Sequence, residues 1–267
     1  MKYAEFKKIK IHFTDTGKGR VLVLVHGFLG SHEIWQGFVK KLSKKFRVIC
    51  IDLPGHGNTQ CIGYYHSMEL LAQSVKSVLD RVGVRRYVIV GHSMGGYAAL
   101  AFAELFPENM SGLCLFHSMS YSDSVEKKKE RERIIRIVKK EHQPYVNDAI
   151  TSLFAFENLG KLKTELDKAK EIAAKVSKQA VINSLEGMKE RKSRDMILKF
   201  AEYPILFILG KKDSVINYEI MYPQIGLCMY PSVLILEDAG HMGFYESPQE
   251  TVTELEHFAM RCFNKKF

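Results

Sequence analysis

The chain of 267 residues contains few of the features that define several large classes of protein. It has five cysteines, an odd number, and no two of them are spaced as C-x-x-C or as metal ligands. It has no HExxH motif, no Gly-Lys-Ser/Thr phosphate loop and no run of eighteen apolar residues. These absences predict a protein without a disulfide framework, a metal centre or a membrane-spanning helix.

The cysteines and the first residues together indicate a cellular compartment. Cys50 and Cys114 lie in apolar, strand-like runs, where cysteine usually behaves as a small buried hydrophobe. Residues 1–13 alternate lysine with apolar residues at strand spacing and lack the continuous apolar segment of a signal peptide. We therefore expect a first strand here, reduced cysteines and a cytoplasmic location.

The net charge of +9 raises the question of a nucleic-acid partner. The excess is spread along the chain, at +7 for residues 1–117, +6 for residues 118–200 and −4 for residues 201–267. The densest basic run, EKKKERERIIRIVKK, mixes both signs at helical spacing, which is typical of a solvated helix face. No zinc-finger, RRM or KH signature is present, so we expect no nucleic acid as a partner.

Short apolar runs alternate with helix-like patterns in most of the chain. Runs rich in Val, Ile and Leu are typical of strands buried on both faces, and their alternation with helices predicts a mostly parallel sheet flanked by helices, an α/β fold. Residues 118–200 break this rhythm, with several helical patterns and no convincing strand. We therefore predict a core formed by residues 1–117 and 201–267, with a helical insertion at 118–200. The predicted strands are 21–25, 46–53, 87–90, 110–116, 203–210 and 232–238.

One serine stands at an abrupt change of composition, in YVIVGHSMGGYAAL (87–100). A strand that turns directly into a helix leaves its central side chain strained and exposed, and it needs neighbours without bulk. Gly91 and Gly95 meet that need on either side of Ser93. The turn would present the Ser93 hydroxyl and the free N–H groups of the helix N-terminus at the same point. Such a hydroxyl needs a base and an orienting acid before it can act as a nucleophile.

A base and three candidate acids follow later strands. His241 lies in a loop after the last predicted strand, at the carboxyl end of the sheet, where ligand crevices form. Asp213 follows the preceding strand, and the order Ser93, Asp213, His241 is the one expected for a G-x-S-x-G elbow. Asp123 and Asp238 compete with Asp213. Asp123 is explained as a helix N-cap at the entry to the insertion, and Asp238 lies too close to His241 along the chain.

The sequence resembles the α/β-hydrolase superfamily over almost its whole length. The resemblance implies an α/β-hydrolase fold whose helical insertion is a cap over the active site. It also implies an oxyanion hole formed by the backbone N–H groups of Phe28 and Met94, and a structural role for His26. The motifs that carry the resemblance are HGFLG (26–30), DLPGHG (52–57), GHSMGG (91–96), GKKD (210–213) and AGH (239–241).

The resemblance implies a serine hydrolase that uses Ser93, His241 and Asp213 and needs no cofactor. The expected substrate is a small molecule, a carboxylic ester with a small or medium acyl group. The cap residues expected to face it are residues 153–156, Leu185 and Met188. Trp35 would line the pocket or pack against its own helix.

Two alternatives stay open. HGFLGSHEIW followed by DLPGHG also resembles the menaquinone-pathway lyase that eliminates pyruvate with the same triad. That family usually has arginine after its SxGG, where this chain has Tyr97. The second alternative is a small-molecule binding protein on the same fold with vestigial activity. The sequence does not indicate an oligomeric state.

Overall fold

A single eight-stranded sheet organises the computed structural model, which describes residues 1–264. Residues 265–267, the end of the predicted core segment 201–267, lie outside the described residues. The strand order is β1-β2-β4-β3-β5-β6-β7-β8. Pairings from β4 through β3 to β8 are parallel, and β2 pairs antiparallel with both β1 and β4. The strands are Lys2–Phe6 (β1), Ile9–Thr16 (β2), Val21–Val25 (β3), Arg47–Ile51 (β4), Tyr87–His92 (β5), Met110–Phe116 (β6), Ile205–Gly210 (β7) and Pro231–Leu236 (β8).

The central strands are buried on both faces, as their continuous apolar runs predict. Every residue of β3, β5 and β7 is buried, and Cys50 and Cys114 are buried as expected. Six further helices of the described residues lie outside the insertion. They are Gln36–Leu42 (α1), Met68–Arg81 (α2), Met94–Leu105 (α3), Tyr222–Ile225 (α9), Gly243–Glu246 (α10) and Pro248–Asn264 (α11), with 3-10 turns at His32–Trp35 and Tyr218–Met221.

Five α-helices and a 3-10 turn lie between β6 and β7, within the segment predicted to be a helical insertion. Serine residues begin three of the chain's helices: Ser67, Ser124 and Ser177 each accept a hydrogen bond from the backbone N–H three residues later. Ser124 therefore caps α4, and the expectation that Asp123 is the N-cap is wrong. The helices are Val125–Lys140 (α4), His142–Leu153 (α5), Lys163–Ala174 (α6), Lys178–Lys189 (α7) and Asp195–Phe200 (α8), with the 3-10 turn at Phe156–Asn158.

The strand order changes direction at the centre of the sheet, which determines where a site can form. β4 lies on one side of β3 and β5 on the other, so the loops that follow β3 and β5 diverge from the carboxyl edge. A crevice opens at such a switch point in parallel sheets. The HGFLG loop follows β3 and the GHSMGG turn follows β5, so both motifs lie at this edge.

Candidate active site

Ser93 lies on a strained turn between β5 and α3. Its φ of 50° and ψ of −117° place a non-glycine residue in a region that costs about 1–3 kcal/mol. The neighbouring glycines are needed because of close backbone contacts: a Cβ on Gly91 would lie 2.4 Å from the carbonyl oxygen of Gly95. The backbone of Ser93 is also fixed, since its N–H donates to the carbonyl of Phe116 at 2.9 Å. The predicted sharp turn is confirmed.

The structure brings Ser93, His241 and Asp213 together in one hydrogen-bonded row. The Nε2 atom of His241 lies 2.9 Å from the Oγ of Ser93, and its Nδ1 lies 2.7 Å from the Oδ2 of Asp213. An ionised carboxylate only accepts hydrogen bonds, so the His241 proton is on Nδ1. The Nε2 lone pair then faces the serine hydroxyl. This arrangement allows His241 to remove the proton of Ser93.

Asp213 is held as a carboxylate by its surroundings. Its Oδ1 accepts the N–H groups of Val215 at 2.8 Å and Ile216 at 2.9 Å. Burial alone would raise the pKa of Asp213, but the electrostatic attraction and hydrogen bond of His241, together with the nearby His117 ring, outweigh that effect. The pKa is therefore held well below its ordinary range. Asp213 remains a fixed negative group beside the imidazole.

The two competing aspartates lie elsewhere. Asp238 is exposed and forms an ion pair with Lys212, at 3.1 Å. Asp123 is buried beside the guanidinium groups of Arg131 and Arg191, with which it forms ion pairs. Burial alone would raise the pKa of Asp123, but the two arginines outweigh it and lower the pKa. Of the three candidates, Asp213 contacts His241.

The two predicted oxyanion donors flank the serine turn. Met94 is the first residue of α3, where backbone N–H groups have no partner in a preceding turn. Phe28 lies in the loop after β3, beside Leu29, whose φ is 62°. Within residues 1–264, the N–H groups of Phe28 and Met94 have no hydrogen-bond partner. His26 holds this loop, as predicted, because its Nε2 accepts the N–H of Leu53 at 3.0 Å.

A small apolar chamber adjoins the loop after β3. Phe28 and Leu29 form one side, and Met242, next to His241, forms another. Leu153, from the helical insertion, also lines the chamber. A cleft of about 380 Å³ between α1 and α6 shares Ile34, Ile172 and Phe244 with the chamber. These shared residues separate the chamber from the surface cleft.

The other residues expected to face a substrate have different surroundings. Phe154 stacks on Tyr245 with ring centroids 6.1 Å apart, while Phe156 is 85% exposed. Leu185 and Met188 are buried in the hydrophobic core. Trp35 is fully buried, edge-on to Phe38 at 5.5 Å, and it packs rather than lining the chamber.

Sequence analysis missed a carboxylate, that of Glu246, which supports the loop that carries His241. The Oε2 of Glu246 accepts the N–H groups of Gly240 at 2.9 Å and Met242 at 3.1 Å, on either side of His241. Its Oε1 accepts the N–H of Ala155, at 2.7 Å, from the helical insertion. A glutamate at the end of a short helix has no pattern that marks such a role, since its partners are backbone groups of the preceding loop and of the helical insertion.

Two further histidines contact the site and were also missed. The Nε2 of His92 lies 2.9 Å from the carbonyl oxygen of His241. This contact holds the backbone of the loop that carries His241. His117, directly after β6, lies beside Asp213. Both are fully or almost fully buried. Their positions after β5 and β6 were visible in the sequence, but their partners belong to loops far along the chain.

Comparison with known proteins identifies the family. A sequence model described as "alpha/beta hydrolase fold" matches residues 20–248. The chain therefore belongs to the α/β-hydrolase family, and a hydrolase role fits that family. Its predicted fold class is confirmed. Within residues 1–264, no helix is both long and apolar enough to cross a membrane.

Three known proteins are similar to this chain. The chain is 26% identical over 247 residues to the dihydrolipoyllysine-residue acetyltransferase component of the acetoin cleaving system of Pseudomonas putida, covering 90% of this chain but 63% of that protein. It is 27% identical over 256 residues to the pimeloyl-[acyl-carrier protein] methyl ester esterase of Pseudoalteromonas atlantica, and the match covers 92% of this chain and 96% of that protein. The structure of a thermophilic esterase from Thermogutta terrifontis superposes with a TM-score of 0.91 at 27% identity. The match covers 95% of this chain and 94% of that one.

Proposed function

We propose that this protein is a serine hydrolase that cleaves a carboxylic ester with a small or medium acyl group. The observation that carries the proposal is the row of hydrogen bonds from Ser93 through His241 to Asp213, at 2.9 and 2.7 Å. The esterases of Pseudoalteromonas atlantica and Thermogutta terrifontis, each similar over more than nine-tenths of the chain, support it.

In the proposed reaction the Oγ of Ser93 attacks the ester carbonyl carbon while the Nε2 of His241 takes the hydroxyl proton. The oxygen of the tetrahedral intermediate becomes negative, and the N–H groups of Phe28 and Met94 stabilise it. The intermediate collapses, and the leaving alkoxide takes the proton from His241. A water molecule then attacks the acyl-enzyme with His241 again as base, which releases the acid and restores Ser93.

In this proposal residues 118–200 form a cap, and Leu153 is the cap residue that lies beside the predicted oxyanion loop. Leu153 lines the apolar chamber beside Phe28, whose N–H would face the reacting carbonyl. The backbone carbonyl of Leu153 also accepts the N–H of His241 at 2.7 Å. The same cap segment would therefore contact both the substrate and the loop that carries the base.

The pyruvate-eliminating alternative requires a cation for the substrate carboxylate, and the geometry provides little for it. Tyr97 occupies the position where the lyase family has arginine. The guanidinium of Arg191 lies over its ring, 4.1 Å from the centroid. That guanidinium is already engaged, since it pairs with Asp123 and donates to the carbonyl of Met188. Binding a substrate carboxylate would require breaking this buried pair.

The test is hydrolysis of short p-nitrophenyl esters by the wild type and by Ser93→Ala. We expect turnover by the wild type and loss of activity in the variant. Ser122→Ala, at an exposed serine, is the matched control and should retain activity. Equal rates for wild type and Ser93→Ala would overturn the proposal.

The same samples distinguish the two alternatives. Pyruvate release from the pathway intermediate, measured in parallel, would identify the lyase. Covalent labelling of Ser93 by a fluorophosphonate, without turnover on a broad ester panel, would identify a binding protein.

A further inference from the structure

We infer that His117 is a positioning residue for Asp213, the acid of the triad. The Nδ1–H group of His117 holds the carboxylate of Asp213, and the backbone N–H of Gly243 fixes the other side of the ring. This inference rests on the proposed function, because it assigns a role toward Asp213 in the same reaction. His117 is fully buried at the carboxyl end of β6, between the loops that carry Asp213 and His241.

The protonation state of the His117 ring follows from its neighbours. The backbone N–H of Gly243 donates to its Nε2 at 3.2 Å, so Nε2 is an acceptor and carries no proton. A neutral imidazole has one protonated nitrogen, which must then be Nδ1. Burial lowers the pKa of His117, which keeps the ring neutral. The ring therefore presents one N–H group at Nδ1.

That N–H group faces Asp213. The Nδ1 atom of His117 lies 3.2 Å from Oδ2 of Asp213, the same oxygen that accepts from His241 at 2.7 Å. The His117 contact is longer and falls outside hydrogen-bond geometry, and within residues 1–264 its Nδ1 has no hydrogen-bond partner, so the N–H acts on the carboxylate as a nearby dipole. The other oxygen, Oδ1, is already occupied by two backbone N–H groups. His117 thus adds an N–H dipole to the hydrogen-bond donors that surround the carboxylate.

Two features show that the chain is closely fitted around this ring. His117 has a φ of 47°, a left-handed conformation that is uncommon for residues other than glycine. A Cβ on residue 243 would lie 2.6 Å from the Nε2 of His117, so only glycine allows this approach. A filler residue in the core would require neither feature. His117 therefore contacts both Asp213 and Gly243, and Gly243 lies two residues after His241.

The role predicts a defect in the chemical step rather than in substrate binding. Without the Nδ1–H group, Oδ2 of Asp213 keeps only His241 as a partner, and the carboxylate is held less firmly in line with the imidazole. A small displacement of a catalytic group can cost about a hundredfold in rate. His117 itself does not contact Ser93 or the position of the ester, so KM should change little.

Two variants separate the N–H contact with Asp213 from the packing of the ring. His117→Leu removes the donor, whereas His117→Asn places an amide N–H near the Nδ1 position and tolerates the left-handed backbone. We expect His117→Leu to lower the kcat for p-nitrophenyl ester about ten- to a hundredfold, with KM within about twofold. His117→Asn should stay within about threefold of the wild-type kcat.

A double-mutant cycle tests whether His117 acts through Asp213. In an Asp213→Ala background, His117→Leu should change kcat less than about twofold, because the group it positions is gone. The inference is overturned if the folded Leu variant keeps wild-type kcat, if the Asn variant loses as much as Leu, or if the loss is the same in both backgrounds.

A measurement on the wild type decides the question even if His117→Leu does not fold. In nitrogen-15 NMR spectra, His117 should be neutral with its proton on Nδ1. A proton on Nε2, or a charged ring at neutral pH, would overturn the inference. This result does not depend on turnover. Failure of the ester assay would overturn the proposed function, whereas failure of the tautomer assignment would overturn only the role of His117.

Discussion

The Nδ1 of His241 lies 2.7 Å from the Oδ2 of Asp213, a contact between two loops that are 28 residues apart in the chain. Replacing Asp213 with asparagine would keep the shape but present an amide that favours the wrong histidine tautomer. We expect Asp213→Asn to lower the kcat of ester hydrolysis by about 10³–10⁴-fold without unfolding the protein. Steady-state kinetics with thermal unfolding checks this. Asp238→Asn, at the exposed aspartate paired with Lys212, is the control and should retain activity.

Asp123→Asn should affect stability rather than the chemical step. The substitution leaves the buried guanidinium groups of Arg131 and Arg191 without a charged partner, and breaking such a buried pair costs about 3–5 kcal/mol. We therefore expect a lower free energy of unfolding in urea, with kcat of the folded protein reduced less than about tenfold. A variant of normal stability with a severely reduced kcat would instead identify Asp123 as the acid of the triad.

Glu246→Gln should impair the reaction through the loop around His241. Both carboxylate oxygens accept backbone N–H groups, so an amide in their place puts one donor against another. We expect kcat to fall about tenfold or more, because the imidazole is displaced. The control is Glu250→Gln, an exposed glutamate in α11. Unchanged kcat in Glu246→Gln would show that the loop does not need this support.

Ser93→Gly should stabilise the protein while abolishing hydrolysis. Glycine relieves the strain of the φ of 50° and ψ of −117° at this turn, a gain of about 1 kcal/mol after its own entropic cost. Ser93→Ala keeps a Cβ and should gain less. The free energies of unfolding of the two variants test this. An equal gain in both would mean that the hydroxyl, and not the backbone, carries the strain.

Stability should fall between neutral and mildly acidic pH because His56 is buried in its neutral form. Burial lowers the pKa of His56 to about 3, whereas in the unfolded chain it is about 6.5. Between these values the unfolded chain binds the additional proton, so the free energy of unfolding rises with pH. Between about pH 7.5 and pH 5, His56 alone should lower the free energy of unfolding of the wild type by about 2 kcal/mol.

Urea unfolding of His56→Gln at the two pH values tests that prediction. Glutamine does not titrate. The free energy of unfolding of the variant should therefore fall by about 2 kcal/mol less than that of the wild type over the same pH interval. His257→Gln, which replaces an exposed histidine of α11, is the matched control. The same pH dependence in His56→Gln and in the wild type would contradict the assignment.

Much of the architecture was predictable because it depends on patterns within short segments. Continuous apolar runs such as those of β3 and β7 indicate strands buried on both faces, and the glycines around Ser93 indicate a turn that has no room for a Cβ. The order of Ser93, Asp213 and His241 along the chain, each after a strand of a parallel sheet, indicated that they would meet at one edge. These features follow from local sterics and from the hydrophobic effect.

Only the tertiary structure decided which groups surround those three residues. The buried carboxylate of Asp123 had two local explanations, yet it pairs with Arg191, 68 residues later, which no local pattern reveals. The donor of His117 and the acceptor of Glu246 likewise face partners on other loops. A sequence specifies residue types and their spacing along the chain, but hydrogen bonds depend on distances and directions in space. Those are established only when the loops at the sheet edge fold against one another.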